Sequence, residues 1–253
     1  MKRLKLATGQ LLLIITFSFL SLGIKSSYSQ NLTPEKIRGM AAAQIDKALK
    51  TYHDLLSIPN DTHNQDNIRV LVGWLTNEFG DRGFRLETLE TETSPLVLAT
   101  RLSKGATKTA LIYLQADGQP VDPSLWFQEN PYTPTLKAQN NKGEWNKIEW
   151  SSLNSKLNPD WRIFARSAVD SKGPITQFLT ALDALDQEGV PLGFNLKVII
   201  DTEEENGSPS LPKAVIRHKE KLKSDFLLIF DGPPHASNKP TIKFGARGIA
   251  TIT

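Results

Sequence analysis

The sequence contains no cysteine, only two methionines and only four histidines in 253 residues. Without cysteine there is no disulfide, no thiolate metal site, no cysteine nucleophile and no lipid anchor on a thiol. An exported chain of this composition suits a bacterial periplasm, although export alone does not separate periplasm from medium. An excess of charge is also missing. Four of the 30 basic residues (Lys2, Arg3, Lys5 and Lys25) and none of the 27 acidic ones fall in the first 29 positions, so the formal +3 becomes −1 once they are set aside. That balance excludes the strongly basic surface that nucleic acid or an anionic membrane would call for. No repeat and no low-complexity tract is present.

An apolar run long enough to span a bilayer is lacking too. The run from Leu11 to Ile24 is shorter than the roughly 18 to 20 residues required. It follows a basic start and precedes Ser27 and Ser29, which fit the −3 and −1 positions of a cleavage site. Residues 1–29 therefore read as a secretory signal peptide cut before Gln30, with a retained anchor as the competing reading. The mature chain is expected to be periplasmic or secreted, without stable membrane association and without a nucleic-acid partner.

What remains is ordinary for a soluble fold, with 39% apolar and 23% charged residues. "TPEKIRGMAAAQIDKALKTYHDLLSIP" predicts one long helix with Thr33 as N-cap and Pro34 at the first position. Ile68, Leu71, Leu75 and Phe79 predict a second, amphipathic helix. Strands are expected near Phe84–Leu89, Leu96–Leu102 and Thr109–Leu114, and 116–163 reads as a functional loop or one carrying small strands. Another helix starts at "SKGPITQFL", and "FNLKVIID" and "SDFLLIFD" read as buried strands. Between these two, "SPSLPKAVIRHKEKL" predicts a helix capped by Ser208 with Pro209 first. Strands alternating with helices predict an α/β three-layer sandwich with a mixed, largely parallel central sheet.

Acids gather where such sheets place their sites, at the C-terminal ends of strands. One strand runs into Gln115 and Asp117, another into "TEEENGS", and a third into Asp231; Asp170 stands just before a helix. Each has a plain structural reading as a cap, an Asx turn or a solvated helix start. Converging carboxylates, however, repel one another and raise their own pKa values unless a cation neutralises them. Divalent metals with oxygen ligands are the obvious neutralisers.

The blocks "QADGQPVDPSLWFQENPYTP", "ARSAVDSKG", "EENGS" and "FLLIFDGP", in that order from about residue 40 onward, resemble the co-catalytic zinc metallopeptidase family. That family includes carnosinase-type dipeptidases, glutamate carboxypeptidase, succinyl-diaminopimelate desuccinylase and aminoacylases. The resemblance implies a zinc-exopeptidase-like fold and a hydrolase of peptide or N-acyl amide bonds in small substrates. By position, Asp170 would bridge two metal ions, Glu205 would bind one and Asp231 the other. Glu204 would be the general base of a metal-activated water, and Asp117 would orient the neighbouring ligand. Zinc is the implied metal; manganese or cobalt also suits an oxygen-rich set. Lys172 and Gly173 would position the loop.

Two departures stand out. Gln115 takes the place of the family's first histidine ligand, and a neutral amide oxygen is a weak donor. One metal position should therefore be weaker, different in preference, or empty; His235 is the only histidine near an implied ligand. The chain also stops at "IKFGARGIATIT", which resembles the entry to the family's lid and dimerisation domain. On that reading 30–253 is the N-terminal portion of a catalytic domain, poorly active or inactive, and a homodimer forms only if the lid domain exists. Ala165 and Ser167 replace glycines of the pattern, which is tolerable unless those positions need positive φ. A non-catalytic relative that keeps the fold, and a domain whose acids are only caps and turns, are the alternative readings.

Overall fold

Helix ends follow local capping chemistry. In the computed structural model, which describes residues 32–154, 157–232, 237 and 241–245, the Thr33 hydroxyl accepts the Lys36 N–H (3.2 Å) at the start of α1 (Pro34–Ala43). The signal-like segment and His235 lie outside the described residues. Packing divides the chain into Met1–Ile37 and Arg38–Thr253, and both sheets with the helices that cover them belong to the second unit.

The long helix predicted from Pro34 is interrupted at Gln44, and α2 runs from Ile45 to Leu56. Gln44 is buried, and its side-chain amide bonds that of Gln187, so a tertiary contact draws the chain off a continuous helical path there. Asn64 caps α3 (Gln65–Asp81) by accepting the N–H groups of Asp66 and Asn67, both at 3.1 Å. As the periodicity predicts, Ile68, Leu71, Leu75 and Phe79 are wholly buried.

Three strands follow: β1 (Arg85–Leu89), β2 (Leu96–Arg101) and β3 (Thr109–Gln115). The 116–163 stretch carries two short strands, β4 (Thr135–Gln139) and β5 (Trp145–Lys147), which pair with β6 (Arg162–Phe164) in a separate three-stranded sheet. Then come α4 (Gly173–Gln187), β7 (Asn195–Asp201), α5 (Leu211–Arg217), α6 (Lys219–Leu222) and β8 (Phe226–Ile229).

The main sheet has the order β1-β2-β7-β3-β8. β1, β2 and β7 pair antiparallel, whereas β7, β3 and β8 are parallel. Alternation along the strands builds two cores. Ala110, Ile112, Leu114, Leu196, Val198 and Ile200 face α2, α3 and α4. Leu96, Leu98, Leu111, Tyr113 and Ile199 face α5 and α6. This is the expected three-layer sandwich. Each fully buried Leu, Ile or Phe contributes about 1.5–3 kcal/mol of transfer free energy.

Two local expectations fail. Ser208 does not cap α5: it adopts φ 49°, and its hydroxyl donates to Asp201 Oδ2 (2.7 Å), so the helix starts three residues later. β8 is not buried. All four of its residues are 44–57% exposed, because among the described residues it is an edge strand, paired with β3 alone.

Candidate active site

The parallel register sets the site. Gln115, the last residue of β3, pairs with Asp201, the last of β7. β8 lies on the other side of β3, and the Phe230 N–H donates to Tyr113 O (3.1 Å), which carries Asp231 to the same sheet end. Three loops, beginning at Ala116, Thr202 and Phe230, therefore leave the sheet together.

Asp117 is buried, and its two carboxylate oxygens each accept one backbone N–H: Glu204 on Oδ1 and Glu205 on Oδ2, both at 3.1 Å. One rigid side chain thus holds the peptide that carries two of the implied functional acids. Burial raises the Asp117 pKa to about 6, against the lowering effect of those two N–H donors. Glu204 is pushed up to about 7, first by burial and then by the charges of Glu205, Asp231, Asp117 and Asp170. The sequence-predicted acids are therefore electrostatic neighbours. Among the described residues no Lys, Arg or His forms a salt bridge with any of them.

Asp170 is exposed and lies in an irregular turn, Ala168–Lys172, which enters α4; its peptide bond to Ser171 is cis. Ser171 Oγ lies 2.6 Å from Asp170 Oδ1 and 2.6 Å from Gln115 Oε1. A hydroxyl has one proton, and the Asp170 carboxylate is the stronger acceptor. The Gln115 amide is therefore best satisfied with its NH2 toward Ser171, its oxygen and nitrogen exchanged. One end of this buried amide is thus engaged within the protein. Gln119 Nε2 likewise donates to Glu205 Oε2 (2.9 Å).

Several residues that the sequence pattern did not single out hold this geometry. Asp201 is buried and accepts from the Tyr113 hydroxyl (2.9 Å), the Ser208 hydroxyl and the Glu203 N–H (3.0 Å). Glu203 is buried as well. It accepts the Ser210 N–H (2.7 Å), the Ser94 N–H (3.3 Å) and the Thr93 hydroxyl, so the first glutamate of the triplet is structural. Wholly buried Asn60 donates to Ala116 O (2.8 Å) and Ser167 Oγ (3.1 Å), joining the end of β3 to the turn before Asp170. The only sequence signal for Asp201 is an apolar strand closing on an acid. Asn60 has none beyond a loop position after Pro59.

Lys172 is also wholly buried. Its ammonium donates to Ile58 O and lies 5.6 Å from the Tyr132 ring centroid, and burial lowers its pKa to about 7. The Tyr52 hydroxyl donates to Ala168 O, so both ends of the turn are pinned, one to α2 and the other to the segment after it. Ser167 sits at φ 59°, and this position does need the left-handed conformation. A non-glycine residue pays about 1–2 kcal/mol for it, partly offset here by the Asn60 contact.

In charge the site fits a divalent cation: clustered carboxylates without a basic partner. In geometry the fit is incomplete. Among the described residues no three His, Cys, Asp or Glu side chains converge to hold an ion. Gln115 offers at most a neutral amide oxygen, which is a weak donor.

Fold and site define an α/β three-layer sandwich of zinc-exopeptidase-like architecture with an acidic centre at its parallel strand ends. The sequence model of Peptidase family M20/M25/M40 matches residues 133–246. Cys-Gly metallodipeptidase dug1 of Schizosaccharomyces pombe is 25% identical over 205 residues, which is 76% of this chain and 39% of that protein. The Beta-Ala-His dipeptidase of Homo sapiens is 28% identical over 156 residues, 61% of this chain and 26% of that protein. Among solved structures, an M20 family metallo-carboxypeptidase from Sulfolobus solfataricus superimposes with TM-score 0.61 at 27% identity, covering 76% of this chain and 39% of that one. Human carnosine dipeptidase 1 shares the fold, with TM-score 0.63 at 21% identity over 78% of this chain and 41% of its own. The matched span takes in three of the four sequence blocks, those holding Asp170, Glu204 with Glu205, and Asp231, and the relatives are hydrolytic enzymes. The chain spans about two fifths or less of the length of these relatives.

Proposed function

We propose that this chain is part of an exported, metal-dependent hydrolase that cleaves a peptide or N-acyl amide bond in a small substrate. The observation that carries the reading is the double acceptance of the Glu204 and Glu205 N–H groups by Asp117. This hydrogen-bond pair fixes adjacent acids for different tasks at the sheet end. Asp170, Glu205 and Asp231 would hold the cation, zinc by the family's habit, with manganese or cobalt also suited to oxygen donors. When bound, it supplies positive charge that acidifies water and polarises a carbonyl.

The remaining steps belong to the protein. Glu204, half-exposed beside the other acids, takes a proton from the attacking water as its oxygen bonds to the amide carbon. The C–N bond then breaks, and Glu204 returns that proton to the leaving amine, giving a carboxylate and an amine. Asp117 keeps the glutamate pair in place throughout. A second reading, a relative that binds metal weakly and does no chemistry, is favoured by the neutral amide at Gln115 and by the incomplete donor geometry among the described residues.

The natural product should be assayed on Cys-Gly and β-Ala-His, the dipeptides after which the relatives are named, with metal content measured in parallel. Glu204→Gln should cut turnover by about 10²–10⁴-fold, the usual worth of a general base, with metal content unchanged. Glu205→Ala should lower metal content. A Glu204→Gln protein with near-normal turnover refutes the base, and metal near zero in both proteins supports the second reading.

A further inference from the structure

One face of the small sheet carries charge that no salt bridge among the described residues balances. Lys137 in the central strand pairs directly with Lys147 of β5 on one side and Arg162 of β6 on the other. Directly opposed residues share a face, and like charges so placed are destabilising. Among the described residues none of the three forms a salt bridge with an acid. Arg162 donates instead to the carbonyls of Pro159 (2.6 Å) and Trp161 (2.8 Å).

Lys137 is the unusual member. It is only 8% exposed, yet among the described residues its ammonium has a single hydrogen-bond acceptor, Phe127 O at 3.3 Å. It lies 4.5 Å from the Phe164 ring centroid. An ammonium has three donors, and this one lines a cavity of about 400 Å3 together with Trp126, Phe127, Trp145 and Phe164. Trp145 and Phe164 are residues of the same sheet face, two positions along from the cations on β5 and β6. They meet edge to face at 5.2 Å. Phe127 is almost fully exposed.

A nearly buried cation with spare donors at the floor of an aromatic cavity calls for an anion joined to an apolar group. The cavity volume is at the small-molecule end of the usual range, too little for a length of folded partner. We infer that this face binds a small carboxylate bearing an aromatic or branched side chain, such as the free end of a dipeptide or an N-acyl amino acid. The carboxylate meets Lys137, with Lys147 and Arg162 adding field, and the side chain lies against Trp145, Phe164 and Phe127. The face is tied to the acidic centre: Arg166, two residues beyond β6, donates to Gln119 O (2.9 Å), and Gln119 donates to Glu205. The inference concerns binding alone and is independent of the hydrolase reading.

The test is a titration of the whole chain with N-acetyl-phenylalanine and with its uncharged amide, followed through the Trp145 indole N–H resonance, assigned with Trp145→Phe. The acid should shift this resonance and bind at least about tenfold more tightly than the amide, the size of a charge-assisted hydrogen bond. Lys137→Met should bring the acid down to the amide. Lys147→Gln, at an exposed position, should weaken the acid two- to threefold with an unfolding midpoint no lower than that of the parent chain. Equal binding of acid and amide overturns the inference, as does an acid preference that survives both lysine substitutions. A single-stranded oligonucleotide binding more tightly than the acid overturns the ligand class.

Discussion

Lys172 offers the sharpest physical test of the fold. Its ammonium is wholly buried, contacts a carbonyl and an aromatic ring, and has no carboxylate within ion-pair range among the described residues. Burial lowers its pKa from 10.5 to about 7. In the unfolded chain the group regains its ordinary value, so between pH 7 and 10.5 the unfolded state binds more protons than the native one. Stability must therefore rise with pH across that window. Below pH 7 both states are protonated, and the full desolvation cost is present. Each tenfold change in proton affinity is worth about 1.36 kcal/mol, so the whole effect is about 4–5 kcal/mol, of which about 2–3 kcal/mol falls between pH 7 and 9. The assay is urea unfolding at half-unit pH steps, read by tryptophan fluorescence from the five tryptophans. Lys172→Met should flatten the rise. At pH 9 the cost of leaving Ile58 O without its donor, about 1–3 kcal/mol, is offset by the remaining ~2 kcal/mol penalty that the substitution removes, so the slope and not the level is diagnostic. A native stability that stays level from pH 7 to 9, or the same slope in both proteins, would refute the reasoning.

Three further substitutions probe the packing beside the site and the link between α3 and α4. A Cβ on Gly118 would stand 2.3 Å from Ser167 Oγ and 3.0 Å from both Asn60 amide atoms. Gly118→Ala should thus cost about 1–3 kcal/mol by thermal unfolding. Ser167→Gly, which removes that hydroxyl and relieves φ 59°, should restore part of the loss, and a strictly additive double mutant would contradict the contact. Arg82 is buried and holds Asp183 by two bonds (2.9 and 2.8 Å) and Glu78 by one (2.7 Å). Asp183 also pairs with Lys47 (2.9 Å), so Arg82→Met should cost about 1.5–3 kcal/mol, the worth of charge-assisted bonds lost from a carboxylate that keeps one cation; a loss below about 0.5 kcal/mol in urea unfolding would show that Lys47 alone satisfies it.

Most of the architecture was legible because periodicity reports burial directly. Ile68, Leu71, Leu75 and Phe79 mark a helix face, and the apolar stretches ending at Gln115 and Asp201 mark two-sided strands. Composition does not report position within a sheet. Phe226–Ile229 is as apolar as β3, yet it lies at the edge, because strand order comes from pairing across distant chain segments. Capping rules failed at Ser208 for a related reason. Its hydroxyl was expected to serve its own helix, but the tertiary fold offered Asp201 instead.

The site divides in the same way. Asp117, Asp170, Glu204, Glu205 and Asp231 could be picked out because each ends a strand or opens a helix, and the order of the blocks needs no coordinates. Which glutamate is structural could not be read, since Glu203, Glu204 and Glu205 are identical in chemistry. Only folding buries Glu203 among Thr93, Ser94 and Ser210 and leaves its neighbours suspended from Asp117.

Sequence by itself determined most of the helices, the five strands of the main sheet, the layer architecture, the placing of acids at strand ends and the substitution of an amide at Gln115. These follow from local spacing, and local spacing is written in the chain. The tertiary structure alone decided what Gln115 bonds to, which acids share a field, that Asp201 and Asn60 hold the strand ends together, and that Lys137, Lys147 and Arg162 form a row. Each of those depends on register between segments far apart in sequence, and register is set by packing free energy summed over the whole core.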